Sequence, residues 1–212
     1  MRIKICGITS VDDATAAFSA GADAIGCVFH PASARAVSIE GAHEISRVVP
    51  AFGMMVGLFV DPTIEQVEAV LSSVSLHTLQ FHGEEAPEFC NRFGRPYLKA
   101  IAMTDGVDLS IISERYESAS ALLLDSAHNG QFGGTGHAFD WRLVDQRVSS
   151  RVALAGGLNA DNVRAAIEQV NPVAVDVSSG VEREKGIKDV AMMRAFVQAA
   201  RGEISKQNSG VT

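Results

Sequence analysis

Eight short apolar runs, separated by polar or amphipathic stretches, set the narrowest limits on what this chain can fold into. They occupy residues 3–6, 24–29, 54–60, 78–81, 97–102, 121–124, 152–155 and 173–177, and begin roughly 20 to 30 residues apart. Most are continuously apolar rather than alternating, as strands buried on both faces of a parallel sheet are. Helical patterns fill most of the gaps. Ser10 is placed to cap a helix that buries Ala14, Ala17 and Phe18 and stops at Gly21. Thr63 and Gln66 have the spacing of a capping box, followed by a stripe of Ile64, Val67, Leu71 and Val74. Asn159 is placed to cap a helix carrying Val163, Ala166, Ile167 and Val170, which Asn171-Pro172 ends. Residues 191–200 supply a last helix.

Eight strands alternating with helices in about 200 residues point to a (β/α)8 barrel, a TIM barrel, formed as a single domain by residues 1–201. An open doubly wound sheet is the alternative. No Gly-x-Gly-x-x-Gly follows the first run, which speaks against a dinucleotide site. Residues 202–212 are polar and read as a frayed tail.

Composition narrows the function. The 212 residues include 18 Lys and Arg against 25 Asp and Glu, a net charge of −7, with no basic block. Nucleic-acid binding is disfavoured by that balance. No apolar run approaches the ~18 residues of a membrane span, and the alternating start of the chain does not read as a signal peptide. Cys6, Cys27 and Cys90 are odd in number and not at metal-ligand spacing. They fit a reduced cytoplasmic protein without a disulfide framework or zinc site.

In a barrel the active site lies at the C-terminal ends of the strands. That rule selects Cys6-Gly7, residues 30–35, Asp61, Gln80 with His82, Asp125, Gly156-Gly157 and residues 176–180. Cys6 is either a small core hydrophobe or a thiolate base, if nearby positive charge lowers its pKa. Asp125 follows four apolar residues and serves either a turn or an acid step. Gly156-Gly157 and Ser178-Ser179-Gly180 together suit a phosphate cradle, since glycine lets backbone N–H groups approach an anion. Arg35 is either a solvated charge or a carboxylate clamp. Gln80 and His82 share one strand face. The segment from Asp125 to Trp141, with Gly130, Gly133, Gly134 and Gly136, is either a loose connection or a lid.

Taken together, Lys4-Ile5-Cys6-Gly7-Ile8-Thr9, Leu79-Gln80-Phe81-His82-Gly83, Leu124-Asp125-Ser126, Gly133-Gly134-Thr135-Gly136 with Phe139-Asp140-Trp141, Ala155-Gly156-Gly157-Leu158 and Asp176-Val177-Ser178-Ser179-Gly180-Val181-Glu182 resemble the N-(5′-phosphoribosyl)anthranilate isomerases of tryptophan biosynthesis. The motifs run in family order from residue 1 to about 200. The resemblance implies a (β/α)8 barrel and an Amadori rearrangement of N-(5-phosphoribosyl)anthranilate to 1-(2-carboxyphenylamino)-1-deoxyribulose 5-phosphate. It implies Asp125 as general acid on the ring oxygen and Cys6 as the base that takes the C2 proton from across the barrel mouth. It further implies Arg35 at the anthranilate moiety, Asp176 at the sugar, Gln80 and His82 beside the substrate, and Gly156, Gly157, Ser179 and Gly180 at the phosphate. It implies no metal or organic cofactor and a small-molecule substrate, with the chain a monomer or weak homodimer. Three positions depart from the family pattern: Ala34 and Lys185 stand where Pro is usual, and Phe81 where Leu is commoner.

Two other readings use the same scaffold. The related histidine-pathway isomerase family uses two aspartates, so Cys6 speaks against it. A non-catalytic phosphate binder needs neither Cys6 nor Asp125.

Overall fold

The computed structural model describes residues 1–128, 131–132 and 138–203. Eight parallel strands form the wall: β1 (Arg2–Cys6), β2 (Ala24–Val28), β3 (Met54–Phe59), β4 (Thr78–Phe81), β5 (Tyr97–Met103), β6 (Ala121–His128), β7 (Val152–Leu154) and β8 (Ala174–Val177). Each pairs with the next, and β8 pairs back onto β1 with Lys4 opposite Asp176, so the sheet closes. The strands lie where the apolar runs predict, within about a residue at most ends. The exception is β6, which continues four residues past Leu124.

Outside the wall lie α1 (Val11–Ser19), α2 (Ile39–Ser46), α3 (Ile64–Ser73), α4 (Pro87–Asn91), α5 (Leu109–Arg115), α6 (Val163–Val170) and α7 (Val190–Arg201). Caps set several starts. The Ser10 hydroxyl accepts from Asp13 N, and Thr63 and Gln66 complete the reciprocal box. Asn159 acts one turn earlier than its pattern suggests. Its side chain accepts from Asp161 N and Asn162 N, which shapes a turn, and α6 begins only at Val163. Between β6 and β7 the described connection is two 3-10 helices, Trp141–Leu143 and Gln146–Arg151, rather than an α-helix. At the other end, α7 closes on Gly202 at φ +72°, with Gly202 N and Glu203 N bonded back to Ala199 O and Gln198 O. Of the tail predicted to fray from Gly202, only Gly202 and Glu203 lie within the described residues. Residues 204–212 lie outside the described chain, as does most of the glycine-rich segment after β6.

Strand alternation sorts the side chains. Ile3, Ile5, Leu122 and Leu124 face outward and join one core with Ala14, Ala17 and Phe196 of the helices. Each such large side chain contributes about 1.5–3 kcal/mol on burial. Phe81 is the hub of an aromatic cluster with Phe59, Phe89, Phe93 and Tyr97, which accounts for a ring at that departure from the family pattern. Lys4, Cys6, Leu123, Asp125 and Asp176 occupy the alternate positions and face the barrel interior. Small residues, Ala100, Ala153 and Ala155, pack around Leu123 there.

Candidate active site

A cavity of about 460 Å³ opens at the C-terminal ends of the strands. Its wall holds Cys6, Arg35, Gln80, His82, Asp125, Gly156, Gly157, Asp176 and Ser179, and also His30, from the residues singled out by sequence. Gly7, Pro31, Asp61 and Gly180 of that set lie outside the wall. Gly180 is missing from the wall; a Cβ there would run into Leu158 O, so its glycine lets the loops after β7 and β8 cross in contact. Asp61, at φ +43°, turns its carboxylate to Glu84 N and serves the loop after β3.

Cys6 ends β1 and is buried. Two residues earlier on the same face, Lys4 Nζ lies 2.8 Å from Asp176 Oδ2. Burial opposes the Lys4 charge, but Asp176 and then the Cys6 sulfur outweigh it, so its pKa sits above the ordinary lysine value. Burial pushes the Cys6 thiol up, and Lys4 pulls against that push. Asp176 Oδ1 is buried without a protein partner among the described residues. A buried acceptor left open in this way is suited to a ligand hydroxyl.

Asp125 lies within β6 rather than at its end. Its Oδ1 accepts from Ser126 N, and its Oδ2 is 3.3 Å from His82 Nε2. Behind the histidine, Gln80 Nε2 is 3.1 Å from His82 Nδ1. With Gln80 donating to Nδ1, the imidazole carries its proton on Nε2 and directs it at Asp125. Gly156, at φ +75°, passes so close that a side chain would strike Ser126 N and Asp125 Oδ1. Around the closed sheet β1 and β6 are separated by β7 and β8 on the shorter side. Cys6 and Asp125 therefore flank the mouth three strands apart instead of facing each other across its full width, because the eight-strand ring places β5 opposite β1.

The loop after β2 carries Arg35. Its stem crosses Gly7, where any Cβ would collide with Arg35 Cδ. Its Nε and Nη2 donate to Glu182 Oε1 and Oε2 at 2.7 and 2.8 Å. The guanidinium thus grips an internal carboxylate with two parallel hydrogen bonds. Lys188 Nζ adds a third bond to Glu182 at 2.8 Å. Burial raises the Glu182 carboxyl, but Arg35 and Lys188 outweigh it and hold the pKa down to about 2. Proline's absence at Ala34 leaves the loop anchored by other means. Arg35 N bonds to Ser33 Oγ, and Gly186 packs beneath Ala34 O.

Sequence reasoning gave no role to Lys4, Glu182 or Lys188. Lys4 had a signal, a cation two residues before a cysteine on one strand face. Glu182 and Lys188 had none, because their meeting depends on the hairpin of β9 (Glu182–Glu184) and β10 (Ile187–Lys188), whose turn holds Gly186 at φ +86°.

The family model described as N-(5'phosphoribosyl)anthranilate (PRA) isomerase matches residues 3–199. The chain is 53% identical over 197 residues to N-(5'-phosphoribosyl)anthranilate isomerase of Nitrosococcus oceani, covering 93% of this chain and 96% of that one. It superposes with a TM-score of 0.87 on phosphoribosyl anthranilate isomerase of Thermotoga maritima, at 40% identity over 95% of this chain and 99% of that one. A further solved isomerase, at TM-score 0.84 and 39% identity over 95% and 99% of the two chains, holds reduced 1-(o-carboxyphenylamino)-1-deoxyribulose 5-phosphate. The chain belongs to the N-(5′-phosphoribosyl)anthranilate isomerase family.

Proposed function

We propose that this cavity converts N-(5-phosphoribosyl)anthranilate to 1-(2-carboxyphenylamino)-1-deoxyribulose 5-phosphate by an Amadori rearrangement with Asp125 as acid and Cys6 as base. One observation carries the assignment: a thiol beside a buried ammonium and a carboxyl at the end of the Gln80–His82 chain open into the same cavity. Asp125 protonates the furanose ring oxygen, and the C1–O bond breaks to leave a protonated Schiff base. The iminium makes the C2 proton acidic, so a thiolate suffices to remove it. The C2–H electrons move to the C1–C2 bond, and the enolamine tautomerises to the ketone.

The remaining groups bind. Asp176 Oδ1 accepts a sugar hydroxyl, and the backbone at Gly156-Gly157 and Ser179 receives the phosphate. Gly180 supports that cradle by allowing the close loop crossing. Arg35 offers the anthranilate its planar face and its Nη1, since Glu182 holds the other edge. No described helix is long and apolar enough to cross a membrane, and three unpaired buried cysteines support a cytoplasmic location.

The test is loss of anthranilate fluorescence when purified protein meets enzymatically generated phosphoribosylanthranilate. Turnover without added metal or cofactor supports the reading, and absence of turnover by folded protein rejects it. Gly157→Val should raise KM about tenfold and weaken competition by inorganic phosphate, because a side chain blocks close anion approach.

A further inference from the structure

An aryl carboxylate entering this cavity needs a cation, and Arg35 is engaged along its Nε–Nη2 edge, which leaves no two-nitrogen edge intact for a second bidentate carboxylate. Its Nε and Nη2 both bond to Glu182, whose carboxylate is buried and also held by Lys188. The cavity wall contains one other Lys or Arg among the described residues, Lys185. It occupies the exposed turn between β9 and β10 and makes no hydrogen bond or ion pair with any described residue. The turn is fixed from below. Thr9 Oγ1 donates to Gly186 O, and Gly186 packs against Ala34 O, so the Lys185 backbone sits over the loop that carries Arg35. The wall's two carboxylates, Asp125 and Asp176, make an uncompensated anion costly there.

We infer that Lys185 is a specificity-determining residue that receives the carboxylate of the anthranilate moiety at the rim, while Arg35, locked by Glu182, contacts the ring. This rests on the isomerase reading of the cavity. It separates two tasks that one arginine would otherwise combine. Glu182 fixes where the guanidinium lies, and the flexible lysine meets the charge.

The test measures inhibition by reduced 1-(o-carboxyphenylamino)-1-deoxyribulose 5-phosphate and by its counterpart lacking the carboxylate, using wild type, Lys185→Met, Lys185→Arg and Arg183→Met. Arg183 is a hairpin cation that does not line the cavity, so it reports general charge effects. Lys185→Met should weaken the carboxylated inhibitor about fivefold, the scale of a partly exposed ion pair, and leave the other inhibitor unchanged. Lys185→Arg should restore most of the loss, and raising ionic strength should shrink it. Equal losses for both inhibitors would assign Lys185 to the phosphate and overturn the proposal. So would no loss at all, or the same loss in Arg183→Met. Wild-type turnover of phosphoribosylanthranilate is followed in the same series. Its absence rejects the isomerase reading itself, whereas turnover without discrimination rejects only the role of Lys185.

Discussion

Two buried lysine–carboxylate pairs sit on opposite sides of the same barrel wall, and they differ in what they leave open. Outside the wall, Lys99 Nζ bonds to Glu85 Oε2 at 3.1 Å and also to carbonyls of Phe81 and Gly83. Glu85 in turn accepts from Asp61 N and Gly83 N. Every strong partner in that cluster is a neighbouring loop, so the pair ties the segments after β3 and β4 together. Inside the wall, the Lys4–Asp176 pair leaves Asp176 Oδ1 without a partner among the described residues and places its ammonium beside the Cys6 thiol. Both are lysine–carboxylate pairs. An acceptor without a protein partner, aimed into a cavity, distinguishes a site from a brace.

Removing a cation from the closed cluster should have the largest effect, and it should be on stability. Lys99→Met strands the Glu85 carboxylate in the wall and should cost about 3–5 kcal/mol in urea unfolding, as loss of one partner from a buried pair does. Fluorescence turnover per folded molecule should stay close to wild type. A Lys99→Met protein that is stable but inactive would erase the distinction between the two clusters.

The open site should respond the other way round. Cys6→Ser and Asp125→Asn should each lower turnover about 10²-fold or more, the scale of one general acid or base, while melting temperatures stay nearly constant. Near-normal turnover in either variant would remove that residue from the chemistry.

Glu182 belongs to neither extreme, since its carboxylate is fully engaged yet holds a residue of the cavity wall. Glu182→Gln should raise KM about tenfold by freeing Arg35, on the scale of ~1.5 kcal/mol for a charged hydrogen bond. It should also change acid stability. The folded carboxyl titrates near 2, below its ordinary 4.5. Its contribution is therefore complete above about 4.5 and is lost as pH falls toward 2. Denaturation of Glu182→Gln across that window should be flatter than that of wild type.

Legibility in the sequence followed the range of the interactions. The strands were readable because each is a short run dominated by apolar residues, and α1 and α3 because Ser10 and Thr63 act within three residues. The region between β6 and β7 was not readable, since no apolar period marks its 3-10 turns. The wall residues followed from one rule about strand ends, helped by the family resemblance for Arg35 and Asp176. Glu182 escaped that rule because it lies 147 residues from Arg35 and meets it only after the barrel closes β8 onto β1. Lys185 is visible as a departure from the family pattern, but its place in the wall depends on the Gly186 turn packing under Ala34.

The smallest expected effect is on pH dependence, and it compares Lys4 with Lys99 directly. Burial pushes the Cys6 thiol up, and Lys4 is the first group that pulls it back down. A thiol with a raised pKa yields its base form only as pH rises, so kcat/KM should climb on the alkaline side of neutrality as Cys6 deprotonates. Lys4→Met removes the downward pull. The climbing limb should then move to higher pH, even though the variant also releases Asp176 from its partner. Loss of Lys4 also pushes the buried Asp176 carboxyl further up, which offsets part of that movement without reversing it, because Lys4 acts on the thiol more strongly than Asp176 does. Lys99 lies on the far side of the wall and is not among the groups acting on Cys6, so Lys99→Met should leave the limb where it is. A limb unmoved in Lys4→Met would mean that Cys6 does not set it. Equal movement in both variants would mean that charge is felt through the wall regardless of which side carries it.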